Sequence, residues 1–339
     1  MKLLILLFSL SPFLIFSQAE PTRFCIVFYN AENLFDPEKD PYKNDEAFTP
    51  SGFYHWTYNR FYKKLNNIAK VLLTINGWEP PDLIGLAEVE NANVLNKLCY
   101  ATGLKSYHYQ YVRYDSPDSR GIGVALLFRN DRISILDSYP ISVVFPFEPA
   151  TNNRDILYVK TLIATDTMHL FVNHWTSRFG GAGITIPKRN YYAKVLKDKV
   201  DSLLIVHKNP YVIIMGDFND YPTDESIVKY LQAKNYKNAN ENDELLNLMA
   251  PLAEKNMGTH KTKEFWGYLD QFIVSKSLMY GGNRWQIENH EAVVFDAPFL
   301  LVNDEKYGSL KPFRTYSGPK YLGGFSDHLP VKINLVVVY

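Results

Sequence analysis

Nine apolar runs rich in Val, Ile, Phe and Tyr punctuate the chain, at residues 24–29, 82–87, 107–113, 123–128, 157–164, 169–173, 211–215, 269–274 and 332–338. Such residues suit the pleated, half-buried surface of a sheet, so each run predicts a strand. Helical spacing shows at 59–75, where Phe61, Leu65, Ile68, Ala69 and Leu72 share one face. It shows again at 188–206, where Tyr192, Val195, Leu196, Val200 and Leu203 form a stripe. Shorter helices are predicted at 93–101 and 223–232, the second opened by the cap-like Thr223–Asp224–Glu225. The polar stretches 36–58 and 235–262 read as long surface loops. Strands outnumber helices, and the helices stand singly between groups of strands. That arrangement favours an α+β protein with two sheet layers covered by helices over a simple doubly wound sheet. No linker, low-complexity tract or repeat interrupts residues 18–339, so one domain is expected there.

Composition adds bounds. The 339 residues are 46% hydrophobic, ample for a sizeable core and contrary to intrinsic disorder. The 36 basic and 36 acidic side chains cancel, so there is no global basic footprint for nucleic acid, although a local patch is compatible with zero net charge. At the N-terminus, Met1–Lys2 is followed by the apolar stretch 3–16 and by Ser17–Gln18–Ala19–Glu20. This pattern predicts a secretory signal peptide over residues 1–17 and a secreted or periplasmic mature chain starting near Gln18. The stretch is short and interrupted by Ser9, Ser11 and Pro12, which argues against a stable membrane span; the alternative is an uncleaved anchor. Cys25 falls in a strand-like run and Cys99 late in a helix-like one. They read as two buried free thiols, with a disulfide left open.

Polar groups gather where these strands end. Asp217 and Asn219 follow Val212–Ile213–Ile214–Met215, and their i, i+2 spacing in extended chain points both side chains the same way. A carboxylate there can hold a cation or a water, and an amide can donate to a phosphoryl oxygen; a self-satisfied Asx turn is the structural alternative. Asp270 leads into another apolar run, and Asp327–His328 precedes the last one. A His oriented by a carboxylate is the usual general base, but taken singly each is more simply a surface salt bridge. Glu88 ends the run 83–87, where an unpaired buried carboxylate is costly and a hard divalent cation would satisfy it. Asn30 closes 24–29 in the same way, with Glu32 and Asn33 in the same turn, and His174 follows 170–173. Arg120 and Arg178 sit in Gly-containing loops and could contact phosphate, although a loop Arg is usually just solvated.

As a set, Tyr29–Asn30–Ala31–Glu32–Asn33, Leu86–Ala87–Glu88, Asn173–His174, Gly216–Asp217–Phe218–Asn219, Leu269–Asp270 and Ser326–Asp327–His328–Leu329–Pro330 resemble the endonuclease/exonuclease/phosphatase superfamily. That superfamily includes pancreatic-type deoxyribonucleases, apurinic endonucleases, sphingomyelinases and inositol polyphosphate 5-phosphatases. The segments occur in the family's order and span nearly the whole mature chain. The resemblance implies a four-layer αββα sandwich with one site at the top of two packed, mostly antiparallel sheets. It implies that Asn30 and Glu88 place Mg²⁺ or Mn²⁺, with Glu88 as direct ligand and Asp327 assisting; Ca²⁺ as a structural or co-activating ion is compatible. Asp217 would position or deprotonate the attacking water, and Asn219 would hold the scissile phosphate. His328, oriented by Asp270, would serve as general base or transition-state donor. His174 would match the second catalytic histidine of the deoxyribonuclease-like branch. Glu32 stands where some relatives carry Asp. The 173–181 and 116–126 stretches look like the bacterial secreted nuclease-like subgroup, except that Phe179 replaces a second basic residue before the glycines.

Three functions stay open at this stage. An exported, metal-dependent phosphodiesterase, foremost an endonuclease acting as a monomer on DNA or RNA, leads. A phosphatase or phospholipase C-like hydrolase of a small phosphoester (an inositol phosphate or sphingomyelin) is second, and is compatible with the loop aromatics Phe53, Tyr54, Trp56 and Tyr58. A binding protein that has lost turnover is third, and the retention of Glu88, His174, Asp217, Asp270 and His328 speaks against it.

Overall fold

Alternation along β1 (Arg23–Leu34) sends Phe24, Ile26 and Phe28 to one face and Cys25, Val27 and Tyr29 to the other, and both faces are buried. In this computed structural model, which describes residues 23–77, 79–240, 242–254, 258–280 and 284–337, that double burial is the organising fact. One face of β1 packs on a second sheet and the other on helices. The expected signal peptide over 1–17 lies outside the described residues.

The remaining strands of the two large sheets are β2 (Leu83–Val89), β3 (Tyr109–Arg113), β4 (Gly123–Arg129), β5 (Ile133–Ile141), β6 (Ile156–Ile163), β7 (Asp166–His174) and β8 (Tyr211–Asp217). They continue with β9 (Ala233–Asn235), β10 (Leu245–Asn247), β11 (Asp270–Ser275), β12 (Trp285–Ile287), β13 (Val293–Val294) and β14 (Val331–Val337). The first sheet runs β12-β14-β1-β2-β4-β3, with β13 pairing on β14, and the second runs β5-β6-β7-β8-β11-β10-β9. Pairing is mostly antiparallel, the exceptions being β1 with β2, β7 with β8, and β9 with β10.

Phe28, Leu126, Leu170, Val172, Met215 and Phe272 meet between the sheets. Gly85 permits that approach: a Cβ there would stand 2.8 Å from Met215 Sδ and 3.3 Å from Val172. Outside the first sheet lie α1 (Tyr58–Thr74), capped by Thr57, and α2 (Ala92–Tyr100), capped by Asn91, whose Phe61, Leu65, Leu72 and Leu95 pack on Val27 and Tyr29. Outside the second sheet α3 (Ala182–Val206) lays Tyr192, Leu196 and Val200 on Phe171, Val212 and Ile214. The layers are therefore helix, sheet, sheet, helix, the αββα order expected. None of the described helices is long and apolar enough to cross a membrane. Cys25 and Cys99 are buried free thiols, and burial pushes both up to about 12.

Several elements differ from the sequence pattern. β5 was not expected: it is an edge strand with one face in water and Pro140 inside it, so its apolar signal is weak. The segment 235–262, read as a loop, holds β10, whose three residues are too few to show periodicity. The expected helix at 223–232 contains a π-helical turn, Ser226–Tyr230. α3 begins six residues earlier than expected, carrying Pro187 within its second turn.

Candidate active site

Strand direction assembles the polar residues. β1 and β2 run parallel, so Asn30 and Glu88 emerge at the same edge. β7 and β8 also run parallel and bring His174 level with Asp217. β11 enters antiparallel to β8 with Asp270 opposite Asp217, and β14 enters antiparallel to β1, which brings Asp327 and His328 to the end of β1. Asn30, Glu88, His174, Asp217, Asp270 and His328 thus share one end of the sandwich.

Local backbone geometry completes the placement. Glu88 interrupts the pairing of β2 with β4 and takes φ 61°, a left-handed conformation uncommon outside glycine. That twist turns its carboxylate out of the sheet to a half-buried position, where Oε2 accepts from Asn33 N at 2.7 Å. Strain of this kind costs on the order of 1–3 kcal/mol and persists where the surroundings impose it. Asn219, at φ 50°, gives its backbone N–H to Asp217 Oδ1 at 2.9 Å and its amide to Trp175 O at 3.2 Å.

At the centre is an amide between two carboxylates. Asn30 Nδ2 donates to Asp217 Oδ2 at 3.0 Å and reaches Glu88 Oε1 at 3.4 Å. Its carbonyl oxygen accepts from Glu32 N at 3.0 Å, so the amide NH₂, rather than the oxygen, faces the carboxylates. In this arrangement the Asn30 amide links Asp217 and Glu88 through Nδ2 and is itself oriented by the Glu32 N–H.

His328 Nδ1 donates to Asp270 at 2.7 Å, leaving Nε2 at 3.9 Å from Asp217 Oδ2 and 4.0 Å from Asp327 Oδ1. Ser326 fixes this segment, its hydroxyl donating to Asn30 O at 2.7 Å and accepting from His328 N at 3.1 Å. Burial opposes a charge on His328, but Asp270 and then Asp217 and Asp327 outweigh it, and its pKa lies well above the usual imidazole range. Asp217 is also raised: burial pushes it up to about 7 despite the opposing pull of His328 beside it. His174 places Nε2 3.8 Å from Asp217 and 3.9 Å from Glu88, while Nδ1 has no partner among the described residues. Burial, helped by Arg154, pushes His174 well below the usual range, so it stays neutral.

Four residues that contact the site lay outside the sequence reading. Buried Arg154 donates to the carbonyls of His174 at 3.0 Å and Trp175 at 2.6 Å and to Asp118 at 3.0 Å, holding the His174 turn. Arg314 joins Glu32 at 3.2 Å to Asp327 at 2.8 Å. Lys64, inside the apolar stripe of α1, approaches Glu32 at 3.5 Å. His260 packs against His328 with ring centroids 4.8 Å apart and planes tilted by 41°, and burial pushes it down to about 4. Only Lys64 carried a signal, a charge where the helix pattern called for an apolar residue.

The cleft over these groups measures about 650 Å³ and is also lined by Arg120, Arg178 and Phe179. Arg120 leans on Asp118 at 3.6 Å, and Arg178 lies over the Tyr221 ring at 4.4 Å and near Asp224 at 3.6 Å. Phe179 is 92% exposed. The donor set fits a hard cation: Glu88 offers a partly exposed oxygen whose contact to Asn30 is long, with Asp217 Oδ2 sharing the same amide. Two tighter groupings, His260–Asp327–His328 and Asp217–Asp270–His328, both draw on His328, whose Nδ1 is already committed to Asp270. Glu32 spends its oxygens on Arg314 and on Thr315 N at 2.7 Å, and so is not free as a ligand.

Two sheets joined at one end by a metal-fit carboxylate and an Asp–His pair define an αββα hydrolase. Residues 25–336 match the Endonuclease/Exonuclease/phosphatase family, and the chain belongs to it. Members of this family are phosphoester hydrolases, typically dependent on a divalent metal. Similar solved structures include a family protein from Bacteroides thetaiotaomicron, 17% identical, with TM-score 0.58, covering 95% of this chain and 100% of that one. A mannosyl-6-phosphatase from the same organism is 18% identical with TM-score 0.57 over 93% and 100% of the two chains. The human nocturnin catalytic domain with bound sulfate is 17% identical with TM-score 0.56 over 93% and 94%. At these identities the likeness is one of fold. Among curated proteins no sequence matches this chain.

Proposed function

We propose that this protein is an exported phosphodiesterase dependent on Mg²⁺ or Mn²⁺ and acting on nucleic acid, with one catalytic domain spanning residues 18–339. The observation that carries hydrolysis is the Asp270–His328 pair, at 2.7 Å, facing buried Asp217 across 3.9 Å beside Glu88. Glu88 would hold the cation, with Asp327 assisting through Oδ1, the oxygen that Arg314 leaves free. When bound, the cation supplies Lewis-acid stabilisation of phosphoryl charge.

The side chains supply the rest. Asp217, held by Asn30 and by Asn219 N, accepts a proton from the attacking water. His328, a cation at neutral pH, donates from Nε2 to the developing phosphorane charge, which Asp270 allows by fixing Nδ1–H. This favours the donor role for His328 over that of base. His174 stays neutral and donates from the opposite wall, and Asn219 holds a phosphoryl oxygen. Arg120 and Arg178 on the rim attract a polyanionic backbone.

The test is incubation of the mature protein with plasmid DNA and RNA in Mg²⁺ with EDTA controls. Cleavage lost in Asp217→Asn and His328→Ala supports the reading, and absence of any cleavage dependent on them sinks it. Titration calorimetry on Glu88→Gln checks the metal assignment: Mg²⁺ or Mn²⁺ affinity equal to the native protein's would overturn it. A small phosphoester is the second reading, because a hydrolytic centre of this kind is shared across the family's phosphoester hydrolases. The solved mannosyl-6-phosphatase of like fold makes hexose phosphates the first alternatives to try.

A further inference from the structure

Beside the catalytic cleft lies a second cavity of about 90 Å³, walled by Phe48, Tyr54, Trp56 and Tyr316 with Arg314 and Glu32 at its edge. Its rings brace one another. Phe48 and Tyr54 stand 4.7 Å apart, Tyr54 and Tyr316 4.8 Å, and Trp56 and Tyr316 6.0 Å between centroids. Hydrogen bonds hold the frame from behind, Trp56 Nε1 donating to Phe35 O at 2.9 Å and Tyr316 OH to Tyr54 O at 2.8 Å. The pocket is therefore preformed.

It adjoins the hydrolytic centre at two points. Asn33 lines both spaces, and its backbone N–H is bound to Glu88. Arg314, 43% exposed, lines the pocket while its guanidinium holds Asp327 of the cleft at 2.8 Å. A group seated against the ring-lined wall would thus be attached beside a phosphate lying over Glu88.

Size and chemistry narrow the occupant. A water needs roughly 10–15 Å³ by this measure, so the space of about 90 Å³ equals about six to nine waters, which suits one planar ring and not a stacked pair. A sugar would need several free acceptors, but the Glu32 carboxylate is already spent on Arg314, Thr315 N and Lys64. Aromatic faces with a guanidinium at the rim are what a nucleobase requires. A base can enter such a slot only after leaving its stack and its pairing partner.

We propose that this pocket binds the unstacked nucleobase next to the scissile phosphate and makes the protein selective for single-stranded polynucleotide or chain ends. The inference rests on the nuclease reading above. Its test compares kcat/KM, in Mg²⁺, for a thymidine dinucleotide and for analogues carrying an abasic residue on either side, with bis(4-nitrophenyl) phosphate as a diester lacking any base. In the native protein one abasic analogue is expected to be cut on the order of tenfold more slowly, the size of a lost base–aromatic stack. In Tyr54→Leu the ratio of intact to abasic rates should fall to below about threefold on the same scale. Because both substrates are measured on one preparation, the ratio does not depend on how much of the variant folds. Single strands should also outpace the matching duplex.

Equal rates on intact and abasic dinucleotides, or duplex cut as fast as single strand, overturn the pocket assignment while leaving a nuclease in place. Hydrolysis of bis(4-nitrophenyl) phosphate or a hexose phosphate with no cleavage of any nucleotide substrate refutes the nuclease reading and this inference together.

Discussion

Lys64 offers a direct test of how the site is held. Its ammonium is 1% exposed, lies 3.5 Å from Glu32, and donates to Thr315 Oγ1 at 2.6 Å and to the Phe325 carbonyl. It therefore ties α1 to the 313–328 segment that carries Arg314 and His328. At an effective dielectric near 20, the Lys64–Glu32 attraction is about 5 kcal/mol gross. Burial offsets much of this: it pushes Glu32 up and Lys64 down, both toward their neutral forms. Replacing Lys64 by Met releases the cost of burying the ammonium but strands two buried acceptors, at roughly 1–3 kcal/mol each. Glu32 keeps Arg314 and Thr315 N. The expected net loss is about 2–4 kcal/mol, below the 3–5 of a fully orphaned partner. Urea denaturation followed by fluorescence measures it. Adding Glu32→Gln to Lys64→Met should recover at least about 1 kcal/mol relative to the sum of the single changes. A Lys64→Met variant within about 0.5 kcal/mol of native, the range of an ordinary surface change, refutes the reasoning, as does strict additivity.

Other outcomes follow from the same geometry. Asp270→Asn removes the partner that holds His328 as a cation, and kcat on bis(4-nitrophenyl) phosphate should fall by about 10³–10⁴ with the fold intact by circular dichroism; a loss under about tenfold contradicts the pairing. Asp217 must be ionised to accept a proton, so kcat/KM should decline as pH drops through its pKa, about 7 in the metal-free protein. A cation at Glu88 favours the carboxylate, so rising Mg²⁺ should move this limb to lower pH. A limb that ignores Mg²⁺ would place the cation elsewhere. In Gly216→Ala the new Cβ meets Asn173 O and Cβ at 2.5 Å. That crowding between β7 and β8 should cost about 1–3 kcal/mol in thermal unfolding and lower kcat by displacing Asp217.

How much of this was legible in the sequence depends on the residue. Asn30, Glu88, His174 and Asp217 each close an apolar run, and because parallel strands end together, a list of strand ends already approximates the site. Asp270 and His328 precede their runs, and the antiparallel entry of β11 and β14 brings them to the same end. Arg154, His260 and Arg314 lie in segments without periodicity, and only tertiary contacts place them. The orientation of the Asn30 amide is set by 3.0 Å hydrogen bonds to Glu32 N and Asp217, which no motif encodes. Likewise β5 alternates toward solvent and β10 is three residues long, so neither stood out as an apolar run.

The amide and imidazole at the centre of the site also have a mechanical consequence. Asn30 belongs to the first sheet and Asp217 to the second, while His328 enters the first and Asp270 the second. At this end of the sandwich these polar side chains act as the clasp between the layers, taking over where Phe28 and Met215 leave off. Parting the sheets by even an ångström would open both hydrogen bonds at once. Activity should then report on the seam itself and fade under mild denaturant before the bulk of either sheet lets go.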